Sequence, residues 1–199
     1  MLPPDLADWR KRLRAEMIAH RIALGEDSLA AHRLAIDAKL RARFHPLLNG
    51  LVAFCWPYKK EYDARPLMEE LRTQGIRTVL PVVVAQGKPL IFREWHSGIS
   101  LAVGTYGIPY PAEGQALEPD VLLLPMNAFD QAGFRLGYGG GFFDRTLAAA
   151  SKKPTVIGIA HEINRVETIY PEAHDIPMDF IVTENAIYRR STESLVRLD

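Results

Sequence analysis

Apolar residues recur at steps of three or four positions in several stretches of the chain, which is the period of an α-helix with one buried face. The clearest stripe consists of Leu6, Trp9, Leu13 and Met17. Asp5 stands just before this stripe and can cap the helix by accepting a backbone N–H. The pattern predicts four helices, over residues 5–24, 29–44, 65–74 and 142–150.

Short apolar runs separate these helices and predict buried strands. The predicted strands are residues 51–56, 78–84, 90–95, 121–124, 155–160 and 179–183. A turn at residues 86–89 joins the second and third of them into a hairpin. Because helices and strands alternate without a repeat or a break in composition, we expect one domain over residues 1–199. Its fold class is predicted to be three-layer α/β/α, with a mainly parallel central sheet and helices on both faces.

Composition excludes several classes of partner. The 199 residues include 24 basic and 24 acidic ones, so the formal net charge is zero and no overall positive field attracts nucleic acid or an anionic membrane. No apolar run is long enough to span a membrane, and the N-terminus lacks the pattern of a secretory signal. The single cysteine, Cys55, excludes an intrachain disulfide and fits a reducing compartment. We therefore expect a cytoplasmic protein that binds neither nucleic acid nor membrane.

A glycine cluster lies between a predicted strand and a predicted helix. Gly137, Gly139, Gly140 and Gly141 fall within five positions. Glycine accepts positive φ and has no Cβ, so a ligand can approach the backbone closely, and successive exposed N–H groups form an anion-binding nest. The helix that follows would add its positive N-terminal end. This order of elements predicts a phosphate site at the carboxyl edge of the sheet.

Two common phosphate loops do not fit these residues. A Walker loop requires a lysine after the glycines, and none follows here. A dinucleotide-binding fingerprint counted from Gly137 requires glycine at position 142, where Phe142 stands. A phosphate loop of another kind and a plain turn both remain possible on the spacing alone.

Taken alone, the charged residues near this predicted edge are explained as solvated surface groups. Arg10 and Arg14 are four positions apart on the first helix and share a face, with Lys11 beside them. Charge alone favours a solvated basic surface there. Glu61 follows the predicted strand 51–56, in a loop where α/β sheets place ligands, although a lone loop glutamate is usually solvated.

Residues 127–145 read Asn-Ala-Phe-Asp-Gln-Ala-Gly-Phe-Arg-Leu-Gly-Tyr-Gly-Gly-Gly-Phe-Phe-Asp-Arg. This run resembles the signature of the 5-formyltetrahydrofolate cyclo-ligase family, whose members are also called methenyltetrahydrofolate synthetases. The resemblance implies an ATP- and Mg²⁺-dependent conversion of 5-formyltetrahydrofolate to 5,10-methenyltetrahydrofolate, by way of an N5-iminium phosphate, with release of ADP and phosphate. It also implies a small-molecule substrate, and we expect a monomer or weak homodimer.

The resemblance assigns roles to individual positions. It implies ATP binding by Arg10, Lys11, Arg14, Arg135, Leu136, Gly137, Tyr138, Gly139, Gly140, Gly141, Phe142 and Phe143. It implies substrate binding by Trp56, Glu61, Tyr106, Tyr138 and Phe142. It implies catalytic roles for Arg135, Tyr138 and Asp144, and magnesium binding by Asp144 and Asp179.

Three positions depart from the family pattern. Arg10 stands where members carry lysine, Ala64 where they carry threonine, and Tyr110 where many carry glutamate. Two other functions therefore stay open. One is a folate- or nucleotide-binding module without catalysis, and the other is an enzyme that binds a phosphosugar or a CoA thioester on the same scaffold.

Overall fold

The computed structural model describes residues 3–199, which form four α-helices and twelve strands. The helices are α1 (Leu6–Ala23), α2 (Glu26–Phe44), α3 (Arg65–Thr73) and α4 (Phe142–Ala149). The strands are β1 (Val52–Ala53), β2 (Thr78–Val82), β3 (Ile91–Trp95), β4 (Leu101–Val103), β5 (Pro109–Pro111), β6 (Val121–Pro125), β7 (Ala128–Phe129), β8 (Arg135–Leu136), β9 (Thr155–Ile159), β10 (Phe180–Val182), β11 (Ile187–Ser191) and β12 (Ser194–Arg197).

Eight of these strands form the central sheet, in the order β12-β11-β10-β9-β6-β1-β2-β3. The five strands from β10 to β2 pair in parallel. The outer strands β3, β11 and β12 pair antiparallel. The prediction of a mainly parallel sheet is confirmed. Because the carboxyl ends of the five parallel strands share one edge, the loops that leave them converge there.

Helices cover both faces of the sheet, as the sequence predicts. Successive residues of β6 show the two faces, since side chains alternate along a strand. Val121 and Leu123 pack with residues of α2 and α3, whereas Leu122 and Leu124 pack with Leu147 of α4. The continuous apolar run of this strand therefore reflects burial on both sides.

Helix α1 lies apart from these layers, against the β7–β8 hairpin. Met17 packs with Ala128 and Leu136 of that hairpin and with Ile169. The side-chain amide of Asn164 donates a hydrogen bond of 2.9 Å to the backbone oxygen of Met17. This small cluster fixes the helix that carries the arginines predicted to meet ATP.

The start of α1 agrees with the prediction, whereas the start of α2 differs from it. Asp5 caps α1 as expected, because its carboxylate accepts the N–H of Asp8 at 2.9 Å. Helix α2 begins three residues earlier than predicted, after Gly25 at a φ of 78°, so that Glu26 and Asp27 occupy its first turn. Acidic residues are favourable at that positive end.

The sequence pattern does not predict six short strands. Strands β7 and β8 have two residues each, which is too short for a recognisable pattern. The other four form two hairpins. Strands β4 and β5 form a hairpin from the stretch around residues 101–111, and β11 and β12 form one at an edge of the central sheet. Their residues are partly exposed and of mixed polarity, so they lack the apolar run that identifies a buried strand.

Truncation of Met17 to alanine should test how α1 is held. Met17 is 5% exposed, and removal of a buried methionine side chain costs about 2–5 kcal/mol of unfolding free energy. Ile22→Ala on the same helix is the matched control, because Ile22 is 50% exposed and exposed substitutions stay within about 0.5 kcal/mol. Urea unfolding of both variants measures the difference. Equal effects would show that the Met17 cluster does not hold the helix.

Candidate active site

A cavity of about 490 Å³ opens at the carboxyl edge of the sheet. Its walls come from the ends of the central strands, the β4–β5 hairpin, helix α1 and the glycine loop. The predicted site residues that line it are Arg10, Arg14, Trp56, Glu61, Tyr106, Arg135, Leu136, Gly137, Tyr138, Gly139, Gly140, Gly141, Phe142, Phe143 and Asp144. The structure thus brings together in one cavity residues that are far apart in sequence.

The glycine loop forms an open turn at the start of α4. Gly139 and Gly141 have φ values of 89° and 61°, in the left-handed region that favours glycine. Gly141 is the N-cap of α4 and supplies no side chain to bond the N–H groups of the first turn. These donors therefore remain available to an anion, which the helix dipole also favours.

Arg14 places a cation against this loop. Its Nε donates to the carbonyl oxygen of Gly137 at 2.6 Å. Neither Nη atom has a hydrogen-bond acceptor within residues 3–199, so the outer edge of the guanidinium group is available to a ligand. Burial lowers the pKa of Arg14, and the neighbouring charge of Arg10 acts in the same direction. A bound anion would oppose both effects, because it stabilises the charged guanidinium group.

Arg10 lines the same cavity, but its donors are engaged by the loop of residues 169–175. Its Nη2 donates at 2.7 Å to the backbone oxygen of Tyr170 and at 2.7 Å to the carboxylate of Asp175. Its Nε and Nη1 donate at 3.1 Å to the oxygen of Ile169 and to Glu172. Arginine offers enough donors for all four contacts, whereas a lysine ammonium has three. Arg10 therefore braces this loop beside the cavity.

Arg135 and Asp144 form an ion pair at the base of the glycine loop. Arg135 Nη2 lies 2.8 Å from Asp144 Oδ1, and the side chain of Arg135 is 6% exposed. Ile176 ties both groups down, because its oxygen accepts from Arg135 Nη1 at 2.9 Å and its N–H donates to Asp144 Oδ1 at 3.1 Å. Asp144 Oδ2 has no hydrogen-bond partner within the described residues. One oxygen of this carboxylate thus remains free at the cavity.

A buried polar network lies at another side of the cavity, around Glu61. The hydroxyl of Tyr138 donates to Glu61 Oε1 at 3.0 Å, and the N–H of Tyr58 donates to Oε2 at 3.0 Å. Arg21 Nη2 donates to the Tyr138 hydroxyl at 3.2 Å. Burial raises the pKa of the Glu61 carboxyl, and the charge of Arg21 opposes that shift. Burial and Glu61 also raise the pKa of Tyr138, which keeps its hydroxyl a donor.

Arg21 is a site residue that the sequence analysis missed. It is 1% exposed, and its Nε donates to the oxygen of Lys59 at 2.9 Å. Positions 10, 14, 17 and 21 lie on one face of α1 at the spacing of a helical stripe. The stripe that positions Arg10 and Arg14 continues through Met17 to Arg21, and this spacing is the signal that could have identified it.

Aromatic side chains form further parts of the wall. The guanidinium carbon of Arg65 lies 4.6 Å from the ring centroid of Trp56. Arg65 is itself held by Asp63, with an N–O distance of 2.7 Å. Tyr106 lies in the loop of the β4–β5 hairpin with a φ of 62°, and it is 68% exposed. Its ring is thus presented to the cavity from a loop with little other contact.

Two predicted site residues lie outside the cavity. Lys11 is exposed on α1, about 100° around the helix from Arg10. Asp179 lies at the amino end of β10, where its carboxylate accepts the N–H of Val156 at 2.8 Å. Asp144 lines the cavity and Asp179 does not, so the cavity does not bring the two predicted metal ligands together. Because Asp179 directly precedes β10, it lies at the amino edge of the sheet, opposite to the ligand site.

The chain is similar to proteins of one family. A family model described as the 5-formyltetrahydrofolate cyclo-ligase family matches residues 7–184. A 5-formyltetrahydrofolate cyclo-ligase of Escherichia coli strain K12 is 36% identical over 69% of this chain and 79% of that protein. The enzyme of the same name from Haemophilus influenzae is 29% identical over 84% of this chain and 90% of its own length.

Two solved structures of methenyltetrahydrofolate synthetases are similar to the structure of this chain. The NMR structure of Aquifex aeolicus 5,10-methenyltetrahydrofolate synthetase has a TM-score of 0.79 and 30% identity, covering 94% of this chain and 96% of that one. A structure of a synthetase from Mycoplasma pneumoniae has a TM-score of 0.73 at 24% identity, over 88% of this chain and 98% of that chain, and supports the fold. Among the described residues, every helix is too short or too polar to cross a membrane.

Tyr138→Phe should weaken the network around Glu61. The variant leaves Glu61 Oε1 and Arg21 Nη2 without the hydroxyl that joins them. Because Glu61 and Arg21 are buried residues, the loss should cost about 1–3 kcal/mol of unfolding free energy. Tyr106→Phe makes the same change at an exposed hydroxyl and should stay within about 0.5 kcal/mol. Urea unfolding at pH 7 without ligands gives both values. If the two variants lose the same stability, the hydroxyl of Tyr138 does not support the network.

Proposed function

The chain belongs to the 5-formyltetrahydrofolate cyclo-ligase family, and from this premise we propose that it converts 5-formyltetrahydrofolate to 5,10-methenyltetrahydrofolate with ATP. The products of this reaction include ADP and phosphate. One observation carries the proposal. The same cavity joins a cation-flanked glycine loop to a buried carboxylate with aromatic neighbours, as a reaction between a triphosphate and a heterocycle requires.

The glycine loop is the proposed site of the ATP phosphates. Its free N–H groups at the start of α4 and the open edge of Arg14 supply donors and positive charge to the same region. Phosphoryl transfer depends mainly on positioning and on neutralising charge. Arg10 contributes by fixing the neighbouring loop, since its own donors already have acceptors.

The network of Glu61 is the proposed site of the pterin ring. A carboxylate accepts hydrogen bonds, and the pterin ring of a folate presents N–H donors along one edge. Tyr138 and the N–H of Tyr58 hold the two oxygens of Glu61 in place. Trp56 and Tyr106 supply aromatic surfaces against which a flat heterocycle packs.

Asp144 is the proposed protein ligand for Mg²⁺. Its Oδ2 is free of protein partners in the described residues, and carboxylate oxygens are ligands that Mg²⁺ prefers, alongside water and phosphate oxygens. When bound, the ion supplies positive charge that offsets the charge of the transferring phosphoryl group. Arg135 holds Asp144 in place through Oδ1.

The chemistry requires no nucleophile from the protein. The formyl oxygen of the folate attacks the γ-phosphate of ATP and gives an N5-iminium phosphate with release of ADP. N10 of the same folate then attacks the activated carbon and releases its proton to solvent, and phosphate leaves as the ring closes. The role of this chain is to hold both substrates in one geometry, which is a large source of rate enhancement by itself.

We place this reaction in the cytoplasm, with the protein as a monomer or a weak homodimer. The single cysteine supports a reducing compartment. Burial raises the pKa of the Cys55 thiol, so this residue stays protonated and is a poor nucleophile at neutral pH.

A direct assay tests the proposed function. Purified protein is mixed with 5-formyltetrahydrofolate, ATP and Mg²⁺, and the near-ultraviolet absorbance of the methenyl product is followed. We expect the band to grow only when ATP is present. Saturable folate binding without turnover would instead identify a binding module, and no folate binding would favour a phosphosugar or CoA ligand.

Asp144→Asn should separate metal binding from folate binding. The variant replaces a charged metal ligand with a neutral amide and leaves the Glu61 network intact, so we expect turnover to fall by about 10²-fold or more with little change in folate affinity. Asp179→Asn is the matched control, because Asp179 lies outside the cavity, and its turnover should stay close to wild type. Initial rates and folate titrations measure both effects. Equal losses of folate affinity and turnover in Asp144→Asn would contradict the assignment.

A further inference from the structure

A second cluster of potential metal ligands lies outside the cavity. His161 follows the carboxyl end of β9, Glu184 follows β10, and His32 projects from the middle of α2. The side chains of His161 and Glu184 are 4% and 11% exposed, and that of His32 is 23% exposed. The proposed reaction uses none of the three residues.

The three nearest donor atoms of this cluster form a compact triangle. Nδ1 of His32 lies 3.0 Å from Nδ1 of His161. Oε2 of Glu184 lies 3.8 Å from the first nitrogen and 3.9 Å from the second. An ion at the centre of the circle through these three points would lie about 2.1 Å from each of them, the length of zinc–nitrogen and zinc–oxygen bonds in proteins. A contraction of the triangle by a few tenths of an ångström lets the ion lie out of its plane, as tetrahedral coordination requires. One ion can therefore reach all three atoms with little movement of the side chains.

We propose that His32, His161 and Glu184 form a binding site for a divalent transition-metal ion of the zinc type. Two imidazoles and a carboxylate are a donor set that such ions favour, whereas Mg²⁺ and Ca²⁺ prefer oxygen ligands. Three protein ligands leave a fourth, tetrahedral position for water. The partial exposure of His32 provides access from solvent.

The surroundings of the cluster support this assignment. The backbone N–H of Glu162 lies 3.2 Å and 3.1 Å from the two oxygens of Glu184 and orients the carboxylate, as outer hydrogen bonds do around metal ligands.

The site would add a metal bridge between three elements that already meet through packing, the hydrogen bond between the two histidines, and a hydrogen bond from Lys39 Nζ to the oxygen of Glu184. Helix α2 would be tied to the carboxyl ends of β9 and β10. Without metal, the two Nδ1 atoms share one proton in a hydrogen bond whose donor is not fixed. A metal ion replaces that bond with three stronger contacts, so binding should raise the thermal stability of the folded protein.

Metal titration of the whole chain tests the inference. Protein is freed of metal with a chelator and titrated with ZnCl₂ in a calorimeter, without ATP, folate or Mg²⁺. We expect one zinc ion per chain and a higher melting temperature. Replacement of zinc by Co²⁺ should give the visible absorption bands of a tetrahedral nitrogen- and oxygen-ligated ion. Absence of zinc binding would overturn the inference.

Variants locate the ion. His32→Ala and Glu184→Gln should each lower zinc affinity by about tenfold or more, because even the loss of an outer partner has an effect of that size. Neither change removes apolar core, and circular dichroism confirms that each variant folds. His20→Ala, at an exposed histidine on α1, should bind zinc as the wild type does.

A competing cluster provides the decisive comparison. Glu172, His174 and Asp175 also place donor atoms close together, beside the cavity. His174→Ala should leave the zinc stoichiometry and the Co²⁺ spectrum unchanged. If His174→Ala removes the ion and His32→Ala retains it, the inference is wrong and the ion belongs to the 172–175 loop.

Discussion

The cavity depends on one stripe of arginine side chains along helix α1. Arg10, Arg14 and Arg21 emerge from the same face and reach three separate loops. Arg10 holds the loop of residues 169–175, Arg14 meets the glycine loop, and Arg21 meets the loop that precedes Glu61. These loops leave different strands, and α1 joins them because guanidinium groups carry enough donors to bond several backbone oxygens at once.

Burying several guanidinium groups on one helix face lowers the stability of the folded protein unless their contacts compensate. A buried guanidinium loses hydration, and its contacts recover that loss only when they are complete. Arg21 has three acceptors, and Arg10 has four. Arg14 has one and keeps an open edge at the cavity. Arg14, whose N–H groups have the fewest acceptors, lies where an anionic ligand is proposed. Arg10 and Arg21 hold the loops in place before the ligand binds. This is the pattern expected of a preorganised site.

The sheet explains why two different ligand environments adjoin each other. The glycine loop precedes α4, and the loop with Glu61 follows β1, which is a neighbour of β6 in the sheet. Strand β1 delivers one loop to this edge directly, and the β7–β8 hairpin that follows β6 delivers the other, so a phosphate-binding backbone and a buried carboxylate share one cavity. The His32, His161 and Glu184 cluster lies at the same edge of the sheet, beyond β6, where β9 and β10 end. The fold thus offers this edge for more than one type of site.

The sequence by itself determined the elements whose signals are local. Apolar periodicity identified four helices and the central strands, and the glycines with the residues around them identified the loop, because turn chemistry and helix polarity depend on near neighbours. The resemblance carried by residues 127–145 then assigned most of the residues that line the cavity. Exposed edge strands gave no such signal, since their pairing compensates for mixed polarity.

Only the tertiary structure decided which of these residues meet. Asp144 and Asp179 look equivalent in sequence, but one begins a helix at the carboxyl edge and the other begins a strand at the opposite edge. In the sequence, Arg21 is an ordinary helix arginine, and only the folded structure shows the loops that surround it. His32 and His161 are 129 positions apart, and nothing local links them. Such encounters depend on chain topology, which brings distant residues together without leaving a pattern in either neighbourhood.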